Sequence, residues 1–243
     1  MTPVAIVVQA RMSSRRLPNK VLMPLAGTPS LVQMIHRLRA VKNADALVVA
    51  TSTEASDDPV ETTCREHGVD VHRGSLDDVL ARVLDAAPAG QDVVRLTADC
   101  PLIDPALVDL CIERFFASPD AGYVTNAVER TYPDGFDVEV VRRVWLERAR
   151  DEATDTYDRE HVTPWVRRNA PRIDVTQDVD LAAIRLTLDE PEDYAIIAAV
   201  YEALGPDATT PQIYALLTER TELIRLATEE AVETYVARLE TLT

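Results

Sequence analysis

Between Gln9 and Lys20 the chain reads QARMSSRRLPNK, and the cations Arg11, Arg15, Arg16 and Lys20 fall within a few residues of one another. Guanidinium and ammonium groups set beside the hydroxyls of Ser13 and Ser14 form a collection of donors suited to phosphate oxygens, bidentate from arginine and point-like from lysine. The other reading is a solvated basic loop whose arginines pair with carboxylates elsewhere. Neither G-x-x-x-x-G-K-[ST] nor G-x-G-x-x-G occurs, so a P-loop or a dinucleotide fingerprint is excluded.

Two aspartates complement these cations. Asp99 follows the apolar run Val93–Leu96, and Asp189 ends Ile184–Leu188 just before Glu190-Pro191. Carboxylates presented by two strand ends suit one Mg²⁺, which takes one or two protein carboxylates and fills its octahedron with phosphate and water oxygens. Each aspartate is equally an N-cap, ahead of Pro101/Pro105 and of Pro191. Asp137 and Glu139 alternate with Phe136, Val138 and Val140, which places both acids on one face of a strand. They are either contacts for an acceptor molecule or the wet face of a hairpin. Asp158-Arg159-Glu160-His161 reads as a helix start. There Arg159 would clamp an acceptor carboxylate and His161 hydrogen-bond it, or the segment is a salt-bridged helix terminus. His36, His67 and His72 lack metal-ligand spacing and read as structural.

The elements that position these residues follow from periodicity. Short apolar runs at Val4–Val8, Ala46–Ala50, Val69–Val71 and Val93–Leu96 alternate with helical patterns, which predicts βαβ units and a mostly parallel sheet with helices on both faces. Leu31, Met34, Ile35, Leu38 and Val41 form one helical face behind Pro29, with Arg37 and Arg39 off that face. Further helices are predicted from Asp57-Asp58-Pro59 to Gly68, over 76–87, 105–116, 142–152, 158–168 and 191–204. A Pro133-Asp134-Gly135 turn between Tyr123–Ala127 and Phe136–Val140 predicts an antiparallel hairpin excursion over about 122–141. Ile184–Leu188 reads as a strand, and the tail after Leu204 as helical.

Composition bounds the class. Forty-one acidic against 25 basic residues give a formal net charge of −16 over 243 residues, which disfavours nucleic acid or an anionic membrane as partner. Cys64, Cys100 and Cys111 are odd in number and lack C-x-x-C spacing, which argues against a disulfide framework and against zinc. No run approaches the ~20 apolar residues of a membrane span. Met1-Thr2-Pro3 opens straight onto the first strand without a signal-peptide pattern, so a cytoplasmic location is expected.

Six segments resemble the cytidylyltransferase family that includes spore coat polysaccharide biosynthesis protein F and the CMP-activating synthetases for 3-deoxy-manno-octulosonate and sialic acids. They are Gln9-Ala10-Arg11, Arg16-Leu17-Pro18-x-Lys20, Thr97-x-Asp99-Cys100-Pro101-Leu102-Ile103-Asp104, the run from Pro133 to Val140, the run from Asp158 to Pro164, and the run from Arg185 to Asp193. The resemblance implies an α/β, Rossmann-like GT-A nucleotidyltransferase fold over 1–205; the tail, 206–243, matches none of its motifs and is expected from its apolar pattern to be a helical extension packed on that domain. It implies CTP as donor, held by Gln9, Ala10, Arg11, Ser13, Ser14, Arg16, Lys20, Thr97 and Asp99, and Mg²⁺ as cofactor on Asp99 and Asp189. The hairpin and the DREH segment would then serve a small acidic acceptor, through Asp137, Glu139, Arg159 and His161, or the contact of a homodimer. The expected reaction is in-line attack of an acceptor oxygen on the α-phosphate of CTP, with Arg11, Lys20, Asp99 and Asp189 as its catalytic residues. The alternatives are a GT-A glycosyltransferase, for which Asp99 lacks the D-x-D pair, and a non-catalytic nucleotide-binding module. Departures from the family pattern are Ser13, Asn19 and Ala98 where glycine is usual, and Arg15 where a small residue is usual.

Overall fold

The structure is a computed structural model that describes residues 2–242. Nine strands and ten helices are found there: β1 (Val4–Gln9), β2 (Pro24–Leu25), β3 (Thr28–Pro29), α1 (Ser30–Leu38), β4 (Ala46–Ser52), α2 (Asp58–Glu66), β5 (Asp70–Gly74), α3 (Val79–Ala86), β6 (Asp92–Thr97), α4 (Pro105–Ala117), β7 (Tyr123–Thr125), β8 (Glu139–Val141), α5 (Arg143–Glu152), α6 (Thr156–His161), α7 (Pro164–Asn169), β9 (Arg172–Asp174), α8 (Pro191–Leu204), α9 (Thr210–Glu219) and α10 (Val232–Glu240). The main sheet runs β5-β4-β1-β6-β8-β7-β9, and β2 pairs with β3 in a separate antiparallel hairpin.

β5, β4, β1 and β6 pair in parallel, as the alternation of apolar runs with helices predicts. β1 is central and buried on both faces. Val4, Ile6 and Val8 enter one core with α1, α4, α8 and α9, while Ala5 and Val7 enter a second with α3, α5 and α7. Each such buried branched side chain contributes about 1.5–3 kcal/mol relative to exposure. The C-terminal extension shares the first core, where Ile213, Leu217 and Leu239 are fully covered. Arg37, expected off the apolar face, is buried and staples the extension to the loop between β6 and α4. Its Nε donates to the Ile103 carbonyl, its Nη1 to Pro206 and its Nη2 to Ala208, each at 2.8 Å. No helix among the described residues is long and apolar enough to cross a membrane.

Three local readings change. β7 and β8 are antiparallel as expected, yet they belong to the main sheet, with β8 against β6 and β7 against the unforeseen β9. The hairpin edges are therefore covered. The predicted helix over 158–168 splits into α6 and α7 at Val162, whose φ is +71°, because Pro164 has no N–H with which to continue the first helix. Ile184–Leu188 is not a strand of the sheet. It is an extended segment bridged at Asp134–Arg185 and at Ile184–Leu226, with Leu186 N donating to the Asp134 carbonyl at 2.7 Å and Arg185 N to the Arg225 carbonyl at 2.8 Å. Gly135 (φ +110°) permits this contact, since a Cβ there would lie 2.4 Å from the Leu186 carbonyl.

Candidate active site

The C-terminal ends of β1 and β6 open into a cleft of about 1370 Å³, where open α/β sheets hold their ligands. After β1 the chain turns through a loop that Asp57 secures from behind. One Asp57 oxygen accepts from the Met12 N–H at 2.7 Å, and the other from the Ser52 hydroxyl and amide. Asn19 sits at φ +63°, a left-handed conformation that asparagine tolerates. It launches the 3-10 turn Lys20–Leu22 and so aims Lys20 back over the cleft.

Lys20 Nζ lies 2.8 Å from Asp99 Oδ2 and 2.8 Å from Asp189 Oδ1. The two aspartates are joined through the backbone as well, because Leu188 N donates to the Asp99 carbonyl at 2.7 Å. Arg16 completes the cluster, with Nη2 2.9 Å from Asp189 Oδ2 and Nη1 3.2 Å from Glu190 Oε1. Burial pushes the Asp99 carboxyl up, but the Lys20 charge and the Lys20 and Thr97 hydrogen bonds outweigh it and hold the acid below its ordinary value. Burial likewise works against the Lys20 ammonium, and Asp99 and Asp189 together raise it. Both groups are thus charged at neutral pH. The neighbouring Cys100 thiol is driven well up by burial and by Asp99, which keeps it protonated and unfit as a nucleophile.

Gln9, Ala10, Arg11, Ser13, Ser14, Arg16, Lys20, Thr97, Asp99 and Asp189 all line this cleft, as do Arg159 and His161. Arg15 lines it too. Among the described residues neither Arg11 nor Arg15 forms an ion pair, in a chain whose other arginines are mostly spent on carboxylates. Both therefore face the cavity without counter-charge, as does buried Arg82, which reaches only the Ser75 and Leu76 carbonyls.

The expected acceptor set is not brought together. Glu139 is 3% exposed and does not reach the cleft. It accepts from Arg95, Tyr123, Thr163 at 2.7 Å and Arg167 at 2.7 Å. Burial opposes its charge, yet Arg95 and Arg167 bring its carboxyl down to about 2. Asp137 precedes β8 and is clamped by Arg130 at 2.5 and 2.7 Å, so the two acids share no wet face. Arg159 reaches Asp78 Oδ2 through Nε at 3.1 Å and Nη2 at 2.7 Å, and its Nη1 holds the Arg150 and Ala153 carbonyls at 3.0 Å. All three of its nitrogens are engaged in fastening α6 to the N-cap of α3, which makes it part of the cleft wall. Of the DREH segment, exposed His161 lines the cavity, its ring tilted at 48° to the Tyr157 ring with centroids 4.3 Å apart.

The residues that sequence reasoning passed over are supports. Asp57 holds the cationic loop, and Arg95 donates twice to the Gln9 side-chain oxygen, at 3.0 and 2.8 Å, which fixes the Gln9 amide in the cleft wall. Asp193 receives the N–H groups of Asp189 and Glu190 at 3.2 and 3.0 Å. The D-E-P-E-D run did carry a signal for this last role, since an acid three residues past Glu190 is the pattern of a capping box.

Two carboxylates bridged by one ammonium form a donor set that a divalent cation can share with phosphate oxygens and water. Among the described residues no three His, Cys, Asp or Glu side chains converge on one point, so a metal held by protein groups alone does not fit, whereas one shared with a phosphorylated substrate does.

Residues 5–215 match the family described as cytidylyltransferase. The spore coat polysaccharide biosynthesis protein SpsF of Bacillus subtilis is 36% identical over 233 residues, which are 89% of this chain and 95% of that protein. A cytidylyltransferase structure from Leptospira borgpetersenii superposes with a TM-score of 0.89 at 32% identity, covering 95% of this chain and 100% of that one. The structure of a CMP:2-keto-3-deoxy-manno-octonic acid synthetase complexed with CTP shares the fold, with a TM-score of 0.63 at 16% identity over 83% of this chain and 99% of that one. With a match over most of its length and an Arg–Lys loop facing two aspartates at the sheet's C-terminal edge, the chain belongs to the cytidylyltransferase family of enzymes.

Proposed function

We propose that this enzyme transfers CMP from CTP to a small acidic acceptor, an acidic sugar, a phosphonate or a related acid, with release of pyrophosphate and a requirement for Mg²⁺. The observation that carries the reading is Lys20 held 2.8 Å from both Asp99 and Asp189, with unpaired Arg11 and Arg15 on the same cleft. Such a site neutralises a polyphosphate by positioning and charge, and needs no protein nucleophile. Arg11, Arg16 and Lys20 lie along the triphosphate and take up the charge that grows on the departing pyrophosphate. The Gln9 amide offers a fixed donor beside them. Asp99 and Asp189 would hold Mg²⁺, which when bound would supply further neutralisation of the phosphate charge. The acceptor's own acid group finds Arg15 and His161 unengaged at the rim, in place of Arg159 and Glu139. The SpsF relative, named for polysaccharide biosynthesis, supports a sugar as acceptor.

The test is pyrophosphate release from CTP, UTP, ATP and GTP against a panel of acids, with and without Mg²⁺. Turnover with CTP and one acid, abolished by chelation and by Asp99→Ala or Asp189→Ala, is the expected result; unchanged turnover in those variants refutes the metal assignment. The homodimer implied by the resemblance stands as a proposal, which a monomer in light scattering at micromolar concentration refutes.

A further inference from the structure

The C-terminal extension sends one charged side chain back to the N-terminal cap of α8, next to the cleft residue Asp189. Between α9 and α10 the chain passes Arg225, whose carbonyl accepts from Arg185 N at 2.8 Å while Ala227 N donates to the Ala183 carbonyl at 2.8 Å. This ribbon lies against the segment that leads to Asp189. The Arg225 guanidinium then spans two acids of the α8 cap, with Nη1 2.6 Å from Asp193 Oδ1 and Nη2 2.5 Å from Glu190 Oε2. Asp193 is buried and is held by Arg185 as well, at 2.9 Å, so Arg225 is fixed from both its backbone and its side chain.

Glu190 is consequently shared by two guanidiniums. Its Oε2 serves Arg225 and its Oε1 serves Arg16. The two cations are not equivalent. Arg16 sits on the loop after β1, its side chain 57% exposed against 29% for Arg225, and it is the one free to move. A carboxylate that already neutralises one arginine attracts a second more weakly, and it is not left uncompensated when that second one departs.

We propose that Arg225 is a positioning residue of the nucleotide site: by satisfying Glu190 it loosens Arg16 from the protein's own carboxylates and makes Arg16 available to a nucleoside triphosphate. Glu190 is the competitor for Arg16, and Arg225 is the counter-ion that blunts the competition. This rests on the proposed role of Arg16 as a phosphate contact. Without Arg225, Glu190 turns wholly to Arg16, and the triphosphate has to displace Glu190 at full strength in addition to Asp189, whose charge Lys20 already shares.

Calorimetric titration of CTP without acceptor, on the full chain, tests this through a double-mutant cycle. Arg225→Ala weakens CTP about two- to fivefold, the range of a partly exposed ion pair. Glu190→Gln keeps an oxygen for the α8 cap and loses the charge, and it tightens CTP by a similar factor. In the Glu190→Gln background Arg225→Ala has no further effect. A general field of the Arg225 charge predicts instead that the two changes add, and additive changes overturn the proposal, as does an Arg225→Ala chain that binds CTP like the wild type. If Arg225→Ala fails to fold, Glu190→Gln alone decides, and weaker or unchanged binding there overturns the proposal. An Arg16→Ala chain that binds CTP normally strikes instead at the phosphate reading of Arg16, and is told apart by that variant alone.

Discussion

Glu139→Gln tests the buried ion network at the centre of the fold. The ordinary value for a glutamate is 4.5, and in the folded chain the Glu139 carboxyl is brought to about 2. Burial alone would raise it; Arg95 and Arg167, with hydrogen bonds from Arg167 and Tyr123, overcome that. A carboxyl whose folded value is depressed contributes stability that is fully present above its unfolded value and is lost as pH falls toward the folded one. The window is therefore pH 4.5 to 2, and the contribution is on the order of 3 kcal/mol, of which roughly 2 kcal/mol is gone by pH 3. Glutamine keeps the shape and one acceptor but leaves Arg95 and Arg167 without their counter-charge, so at pH 7 the variant is less stable by about 3–5 kcal/mol. Urea unfolding at pH 7, 5, 4 and 3 reads both effects. The wild type has many other acids with their own acid dependence, and the difference between the two chains isolates Glu139. The gap narrows as pH falls from 5 to 3. A gap that stays constant across that range would falsify the assignment of a depressed carboxyl. Because Arg95 also fixes the Gln9 side chain, the same variant weakens CTP binding at pH 7, with the fold intact in circular dichroism.

Lys20→Ala removes the cation between Asp99 and Asp189 and a phosphate contact at once, and pyrophosphate release falls about 10²–10³-fold; a loss of less than tenfold at saturating Mg²⁺ counts against a catalytic Lys20. Arg159→Ala is expected to lower thermal stability by about 1–2 kcal/mol through its lost bonds to Asp78 and two carbonyls, while the acceptor KM changes little. A large rise in that KM restores Arg159 to the acceptor site. Gly135→Ala combines a φ of +110° with a Cβ placed 2.4 Å from the Leu186 carbonyl. It costs upwards of about 2 kcal/mol, and an unchanged urea midpoint refutes the close approach of the turn to the Asp189 segment.

What was legible in the sequence follows from what is local. β1, β4 and β6 are buried on both faces, so their apolar runs are continuous, and α1 announces itself by one apolar stripe. Lys20, Asp99 and Asp189 were legible because a loop after a strand and acids at the ends of apolar runs are separately visible, and the α/β fold brings such ends together. Ile184, Leu186 and Leu188 alternate like a strand and are fully buried, but their neighbours are single turns of chain around Asp134 and Leu226. Alternation reports a buried face and says nothing about a ladder partner. The partners of Arg159 and Glu139 were not legible for a related reason. Their ionic partners Asp78 and Arg95 lie 81 and 44 residues away, and which arginine meets which acid is decided only when the helices pack.

The net charge of −16 acquires a specific meaning at the cleft. A triphosphate approaching this protein is repelled at long range, yet the Debye length is about 8 Å at physiological ionic strength. Most of the acids lie away from the cleft on the surface, where salt screens them, whereas Arg11 and Arg15 face the cavity unpaired and act within a few ångströms, where screening is weak. Raising salt from very low values to the physiological range therefore first speeds CTP association, by removing the distant repulsion, before higher salt slows it by weakening the local attraction. A protein whose cleft were merely a solvated basic loop with paired arginines would show only the first half of that curve. Stopped-flow association of CTP across ionic strength distinguishes the two, and replacing Arg11 and Arg15 with glutamine removes the descending limb if those two unpaired guanidiniums are its source.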